Sequence, residues 1–179
     1  MEERTRWFDR QFDLGLPADA FESVLERLRS APGRLGQLVG DLTTEQVRRR
    51  IDDDWSIQEN VGHLIDLEPL WDGRLDDFVA GREELRPADL ENRRTHEAAH
   101  NERVLEDLLR EFGTTRLAMV ERMRARRDEL LARTALHPRL RQPMTLTDLM
   151  FFIAEHDDHH LVTIAEIIRR VHSESHHGT

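Results

Sequence analysis

Apolar positions recur at alternating steps of three and four between residues 145 and 171, where Leu149, Ile153, His156, His160, Ile164, Ile167 and Val171 fall on one stripe. No Gly or Pro interrupts this stretch, and Thr145 with Asp148 three residues on forms a variant capping box. One long amphipathic helix is therefore expected. Two imidazoles sit one turn apart in the middle of its inward face.

Upstream, Pro17 opens a helix reaching about Val39, with Phe21, Val24, Leu25, Leu28, Leu35 and Leu38 inward and a kink or short break expected at Pro32-Gly33. Thr43 with Gln46 caps a short helix ending near Arg49 or Ile51. Ser56 with Glu59 is a full S-x-x-E capping box, so a second main helix starts at Ile57. Its apolar face holds Leu64, Leu67, Leu70, Trp71, Leu75 and Phe78, Pro69 predicts a bend or break, and Gly81 lies just past its end. His63 is in line with Leu67 and Leu70 and is a third inward imidazole.

Residues 81–100 read as a long polar connection with a helical turn or two. A third main helix is expected from about Asn101 to Arg133, with Val104, Leu105, Leu108, Leu109, Phe112, Val120, Met123 and Leu130 inward and Gly113 weakening its middle. A loop with Pro138 and Pro143 leads into the last helix. Residues 1–16 read as a polar lead-in packed on the surface through Trp7, Phe8 and Phe12, and 173–179 as a disordered tail. No strand-like alternation is found. The pattern predicts an all-α four-helix bundle, one domain over 1–179 with the bundle at about 17–172.

Composition narrows the chemistry. The 179 residues carry 26 basic and 36 acidic side chains, a net charge of −10, and every base is arginine. Net acidity argues against binding a nucleic-acid backbone. Absent lysine excludes Schiff-base chemistry, absent tyrosine a phenolic acid, and absent cysteine a protein thiol nucleophile or thiolate ligand. The charged N-terminal stretch lacks the apolar run of a signal peptide, and no segment reaches a membrane-spanning length, so a cytoplasmic location is the expectation.

His63, His156 and His160 are the candidate metal ligands. Polar rings in an apolar seam need partners, and three neutral imidazoles around a divalent ion leave positions open for water or substrate. A rival motif, His96-Glu97-Ala98-Ala99-His100, is a literal H-E-x-x-H, but its flanks NRRT and NERV read as a solvated helix start. His96 or His100 overhanging the bundle mouth is the intermediate expectation. His159 flanks the stripe, with solvent exposure expected ahead of a role at the rim or behind the ligands, and Asp157 and Asp158 are expected in solvent as well. Glu59 lies one turn before His63, and its capping role already accounts for it. The tail histidines His172, His176 and His177 can bind nickel adventitiously.

The pairing of WSIQENVGHL (Trp55 to Leu64) with AEHDDHHLVTI (Ala154 to Ile164) resembles the DinB-like superfamily, which includes YfiT-type proteins. The resemblance implies an up-down-down-up four-helix bundle with a metal site built from one histidine of the second helix and an H-x-x-x-H pair of the last, here His63, His156 and His160. Imidazole donors suit zinc, nickel, copper and iron alike, with zinc or nickel the expected ion and a small molecule the expected substrate. A three-histidine site supports metal-assisted hydrolysis, and the resemblance implies a second chemistry, transfer of a low-molecular-weight thiol such as bacillithiol or mycothiol. A homodimer is also implied. The alternative expectation is a non-catalytic, stress-related metal- or ligand-binding bundle.

Overall fold

The computed structural model describes residues 5–177, with side chains through Ser173. Its helices are α1 (Phe21–Val39), α2 (Thr44–Arg48), α3 (Ile57–Val79), α4 (Arg93–Glu97), α5 (Leu105–Ala125), α6 (Arg127–Leu130) and α7 (Leu146–His177). The four long ones, α1, α3, α5 and α7, form the bundle, with α1 and α3 each packed against both α5 and α7.

Side-chain pairs fix the helix directions. Asn60 and Trp71 of α3 meet His160 and His156 of α7, so these two run oppositely. Glu68 and Asp72 of α3 meet Arg116 and Arg122 of α5, so these run together. Pro32 of α1 lies beside Gly113 of α5, while Phe21 near the start of α1 lies under Arg127 just beyond the end of α5. That pair is antiparallel, and the bundle runs up-down-down-up.

Local signals set the starts of the helices. Both boxes form as read: Thr43 with Gln46 at α2, and Ser56 with Glu59 at α3. At α7 the Thr145 hydroxyl accepts from Asp148 N at 3.1 Å while Asp148 Oδ2 accepts from Thr145 N at 2.9 Å. Asp148 Oδ1 also accepts from Gly15 N and Leu16 N at 2.8 and 2.9 Å, tying the N-terminal segment to the start of α7.

Several expectations are corrected. Of the kink or break expected at Pro32 and Pro69, the break does not occur: α1 and α3 are continuous through both, because each proline removes a single hydrogen bond from a helix packed along its whole length. The third main helix begins at Leu105 and ends at Ala125, where Arg126 leaves helical geometry (φ −101°, ψ 1°) and α6 follows. Val104, expected inside, is 53% exposed. Phe12 is not a surface contact but part of the core. The last helix continues to His177, so the expected tail is helical over that part, and residues 178–179 lie outside the described residues.

A two-stranded antiparallel hairpin also forms, β1 (Thr134–Leu136) with β2 (Pro143–Thr145), in the register Ala135 opposite Met144. Only that pair points inward, and three-residue strands are too short to show a period of two. The hairpin anchors to the connection after α3 through Leu85 N to Leu136 O and Leu136 N to Glu83 O. Its loop carries His137 and Arg139.

Apolar side chains form two clusters, one containing Phe21, Trp71, Val120 and Ile153, the other Leu35, Val61, Phe112 and Ile164. Buried polar residues lie at the levels of the helices between them: His63, Glu68, Arg116, His156, Asp157 and His160. No described helix is long and apolar enough to cross a membrane.

Candidate metal centre

The capping box starts α3 so that Asn60 and His63 fall in its first two turns, and the H-x-x-x-H spacing stacks His156 and His160 on the facing side of α7. The three rings meet. Their centroids are 5.4 Å (His63–His156), 4.8 Å (His63–His160) and 4.6 Å (His156–His160) apart, and one ring nitrogen of each lies within 4.8 Å of the others. All three side chains are buried. Among the described residues this is the one such group of three or more His, Cys, Asp or Glu side chains.

The surrounding hydrogen bonds fix which nitrogens carry protons. Asn60 Nδ2 donates to Ser56 O at 2.8 Å and Trp55 O at 3.3 Å, so its Oδ1 faces His160 Nδ1 at 2.8 Å and must accept. Thr95 donates its only hydroxyl proton to Asp66 Oδ2 at 2.9 Å, so at 3.0 Å from His63 Nδ1 it too accepts. Both rings are thus Nδ1–H tautomers, with the lone pair on Nε2. His156 Nδ1 is buried with no hydrogen-bond partner.

Burial keeps His63 and His156 neutral. Burial pushes His63 down to about 4 and His156 well below the ordinary histidine value, with the neighbouring imidazoles adding to the effect. Asp66, although burial raises it, is held below the usual carboxylate range by hydrogen bonds from His100 and Thr95. A divalent ion needs imidazoles in this neutral form.

The H-E-x-x-H sequence does not make a second site. α4 ends at Glu97, and Ala99 is left-handed (φ 48°), so the two histidines do not share a helix face. His96 is exposed beside Trp55, with ring centroids 5.5 Å apart. His100 is 2% exposed and does not touch the cavity described below; its Nε2 lies 2.8 Å from Asp66 Oδ2. It stands behind His63 in the order His63–Thr95–Asp66–His100. The ring fits because residue 62 is glycine: a Cβ there would lie 2.2 Å from its Cγ.

Asp157 is not in solvent, and Asp158 is half-buried. Asp157 is 1% exposed and bonded to Arg116, itself 0% exposed, whose Nη2 also donates to Glu68 Oε1 at 2.6 Å. Asp158 pairs with Arg27 and Arg34 at 2.6 Å each. The cause is packing on more than one side of α7, which widens its buried arc beyond a single stripe. Burial raises the Glu68 and Asp157 carboxyls despite the guanidinium between them. Arg116, which sequence reading missed, stands out only as a charge within the apolar period of α5. Glu59 is confined to its cap and to Arg50 Nε at 2.8 Å.

A cavity of about 380 Å³ opens onto the three rings, lined largely by apolar side chains including Trp7, Leu67, Trp71 and Phe152. His159, half-buried, lines it at the rim. This size and character suit a small molecule.

The sequence model of the DinB superfamily matches residues 27–164. Among solved structures, YfiT from Bacillus subtilis matches with a TM-score of 0.76 and 20% identity, covering 90% of this chain and 93% of that one. YfiT is described as a probable metal-dependent hydrolase with an unusual four-helix bundle topology. That likeness is one of fold. No curated protein matches the chain.

Proposed function

The chain belongs to the DinB superfamily, and from that premise we propose that it is a metal-dependent hydrolase of a small molecule, with His63, His156 and His160 as ligands of one divalent ion. The observation carrying the proposal is the pair of Nε2 lone pairs that Asn60 and Thr95 leave unprotonated, beside the orphaned His156 Nδ1, at the floor of an apolar cavity. His156 Nδ1 is a buried polar atom without a partner, which is destabilising, and a cation among the three rings satisfies the site. The description of YfiT supports the same class of reaction. Imidazole donors suit zinc and nickel alike.

When bound, the ion supplies Lewis acidity and acidifies water. The chain itself orients and insulates. Asn60 and the Thr95–Asp66 pair hold two rings in place through their Nδ1 protons. Trp7 and Trp71, with centroids 5.0 and 5.9 Å from His156, exclude bulk water from that ring. The same open face accommodates the sulfur of a low-molecular-weight thiol, the second chemistry of this reading.

The test is to express the chain without a histidine tag and measure bound metal. The zinc- and nickel-loaded protein is then assayed against panels of esters, amides and lactones, and for conjugation of bacillithiol or mycothiol to an electrophile. Hydrolysis lost in His63→Ala, His156→Ala and His160→Ala with the fold retained supports the proposal. Conjugation without hydrolysis moves the activity to thiol transfer, and full metal occupancy with neither reaction overturns the enzymatic reading.

A further inference from the structure

The cavity has a second pole, built by residues that hold no part of the metal centre. Arg74, His137 and Arg139 line it. Arg74 is 1% exposed, and its Nε donates to Arg86 O at 3.1 Å. Arg86 is in turn clamped onto both oxygens of Asp77 and lies over Gly73, where a Cβ would come within 2.0 Å of its guanidinium. Among the described residues no carboxylate lies within ion-pair distance of Arg74 or Arg139. Buried guanidinium groups are ordinarily paired, because an isolated buried charge is strongly destabilising. Burial lowers Arg74 only to about 10, so it remains a cation at neutral pH.

Proton positions show that something is lacking here. His137 Nδ1 accepts from Arg139 N at 3.2 Å and Leu140 N at 3.1 Å, which puts the proton of the neutral ring on Nε2. That Nε2 lies 3.1 Å from Arg74 Nη1, which carries only hydrogens. Two donors therefore face each other, and neither can accept. Arg139 Nη2 is buried with no hydrogen-bond partner. Asp89, the one carboxylate lining the cavity among the described residues, is exposed and accepts from Glu91 N and Arg93 N. An acceptor oxygen between Arg74 and His137 removes the conflict, and two guanidiniums with no carboxylate in contact, Arg74 feeling Asp77 only at longer range, select an anionic one.

We propose that Arg74, His137 and Arg139 form an oxyanion subsite, so that the molecule acted on at the three-histidine centre carries a carboxylate at one end of an apolar body. The substrate assignment rests on the hydrolase reading above; the subsite itself requires no metal. Trp71, Leu67, Leu70 and Phe152 give the apolar body its walls.

The test uses EDTA-treated full-length protein titrated calorimetrically with 4-phenylbutyrate, with 4-phenylbutanol and with inorganic phosphate. The carboxylate is expected to bind at least about tenfold more tightly than the alcohol, the scale of one charge-assisted contact. Arg139→Gln and Arg74→Gln should remove that preference and leave alcohol binding unchanged, while His63→Ala keeps the preference. Arg139 is half-buried, so its variant carries the test if Arg74→Gln fails to fold. Equal binding of acid and alcohol overturns the subsite, as does a preference that survives Arg139→Gln or appears only with metal present. Phosphate binding as tightly as 4-phenylbutyrate overturns the carboxylate assignment. Absence of turnover with intact carboxylate binding would instead refute the hydrolase reading and leave the subsite standing.

Discussion

Replacing Arg116 by methionine should be among the most damaging single changes to the core. Its guanidinium is 0% exposed and serves two carboxylates, with Nε and Nη2 on Glu68 Oε1 at 3.0 and 2.6 Å and Nη1 and Nη2 on Asp157. Methionine conserves part of the stem but loses the guanidinium stacked over Phe112 and leaves two buried carboxylates without a cation. Breaking a buried pair in this way costs about 3–5 kcal/mol, a large share of the roughly 5–15 kcal/mol that holds a domain folded. The loss should depend on pH in a definite direction. Burial already raises both carboxyls against the pull of Arg116, and without the guanidinium they rise further. The native variant then binds protons that its unfolded chain releases, so its stability grows as pH falls and the deficit narrows. Urea unfolding at pH 7.5 and 5.5 measures both effects. Adding Glu68→Gln and Asp157→Asn should recover at least half of the loss at pH 7.5, because no net charge then remains buried. A deficit under about 1 kcal/mol at pH 7.5, or one that widens at pH 5.5, would refute the reasoning.

Thr95→Val removes the acceptor of the His63 Nδ1 proton and should weaken zinc binding about 10–100-fold, read by chelator competition; unchanged affinity would show that the hydroxyl does not orient the ring. Gly62→Ala puts a Cβ 2.2 Å from the His100 ring and should displace it from Asp66. Zinc affinity should fall and the melting temperature with it, and a variant indistinguishable from the parent contradicts the close approach. Burial lowers His63 to about 4 from its ordinary 6.5, so between those values the unfolded chain takes up a proton that the metal-free native state refuses. This residue therefore removes stability as pH drops through that window, by about 1.4 kcal/mol per pH unit. His63→Asn should flatten the pH dependence of urea unfolding by that amount, and equal slopes in the two proteins would contradict it.

The bundle was legible because its signals are local. Two full capping boxes and a long uninterrupted stripe set α2, α3 and α7, and periodicity turned His63, His156 and His160 inward, while their convergence rested on the family resemblance. What escaped the sequence depends on contacts between distant segments. Arg116 reads as a surface charge until α3 and α7 bring Glu68 and Asp157 to it. His100 reads as half of an H-E-x-x-H motif until Ala99 turns left-handed and the ring settles over Gly62. His137 and Arg139 lie in a hairpin loop whose three-residue strands leave no periodic trace, so the second pole of the cavity could not be found in advance. Neither proline breaks its helix, since a break is a statement about an isolated helix and these helices are supported along their length.

Whether imidazoles from α3 and α7 hold one cation is decided by anomalous diffraction from crystals of untagged protein grown with zinc and measured on both sides of the metal edge. A single strong peak is expected about 2.0–2.1 Å from a ring nitrogen of each of His63, His156 and His160, absent from crystals of His160→Ala. A metal peak elsewhere, or none at these rings under saturating zinc, would contradict it.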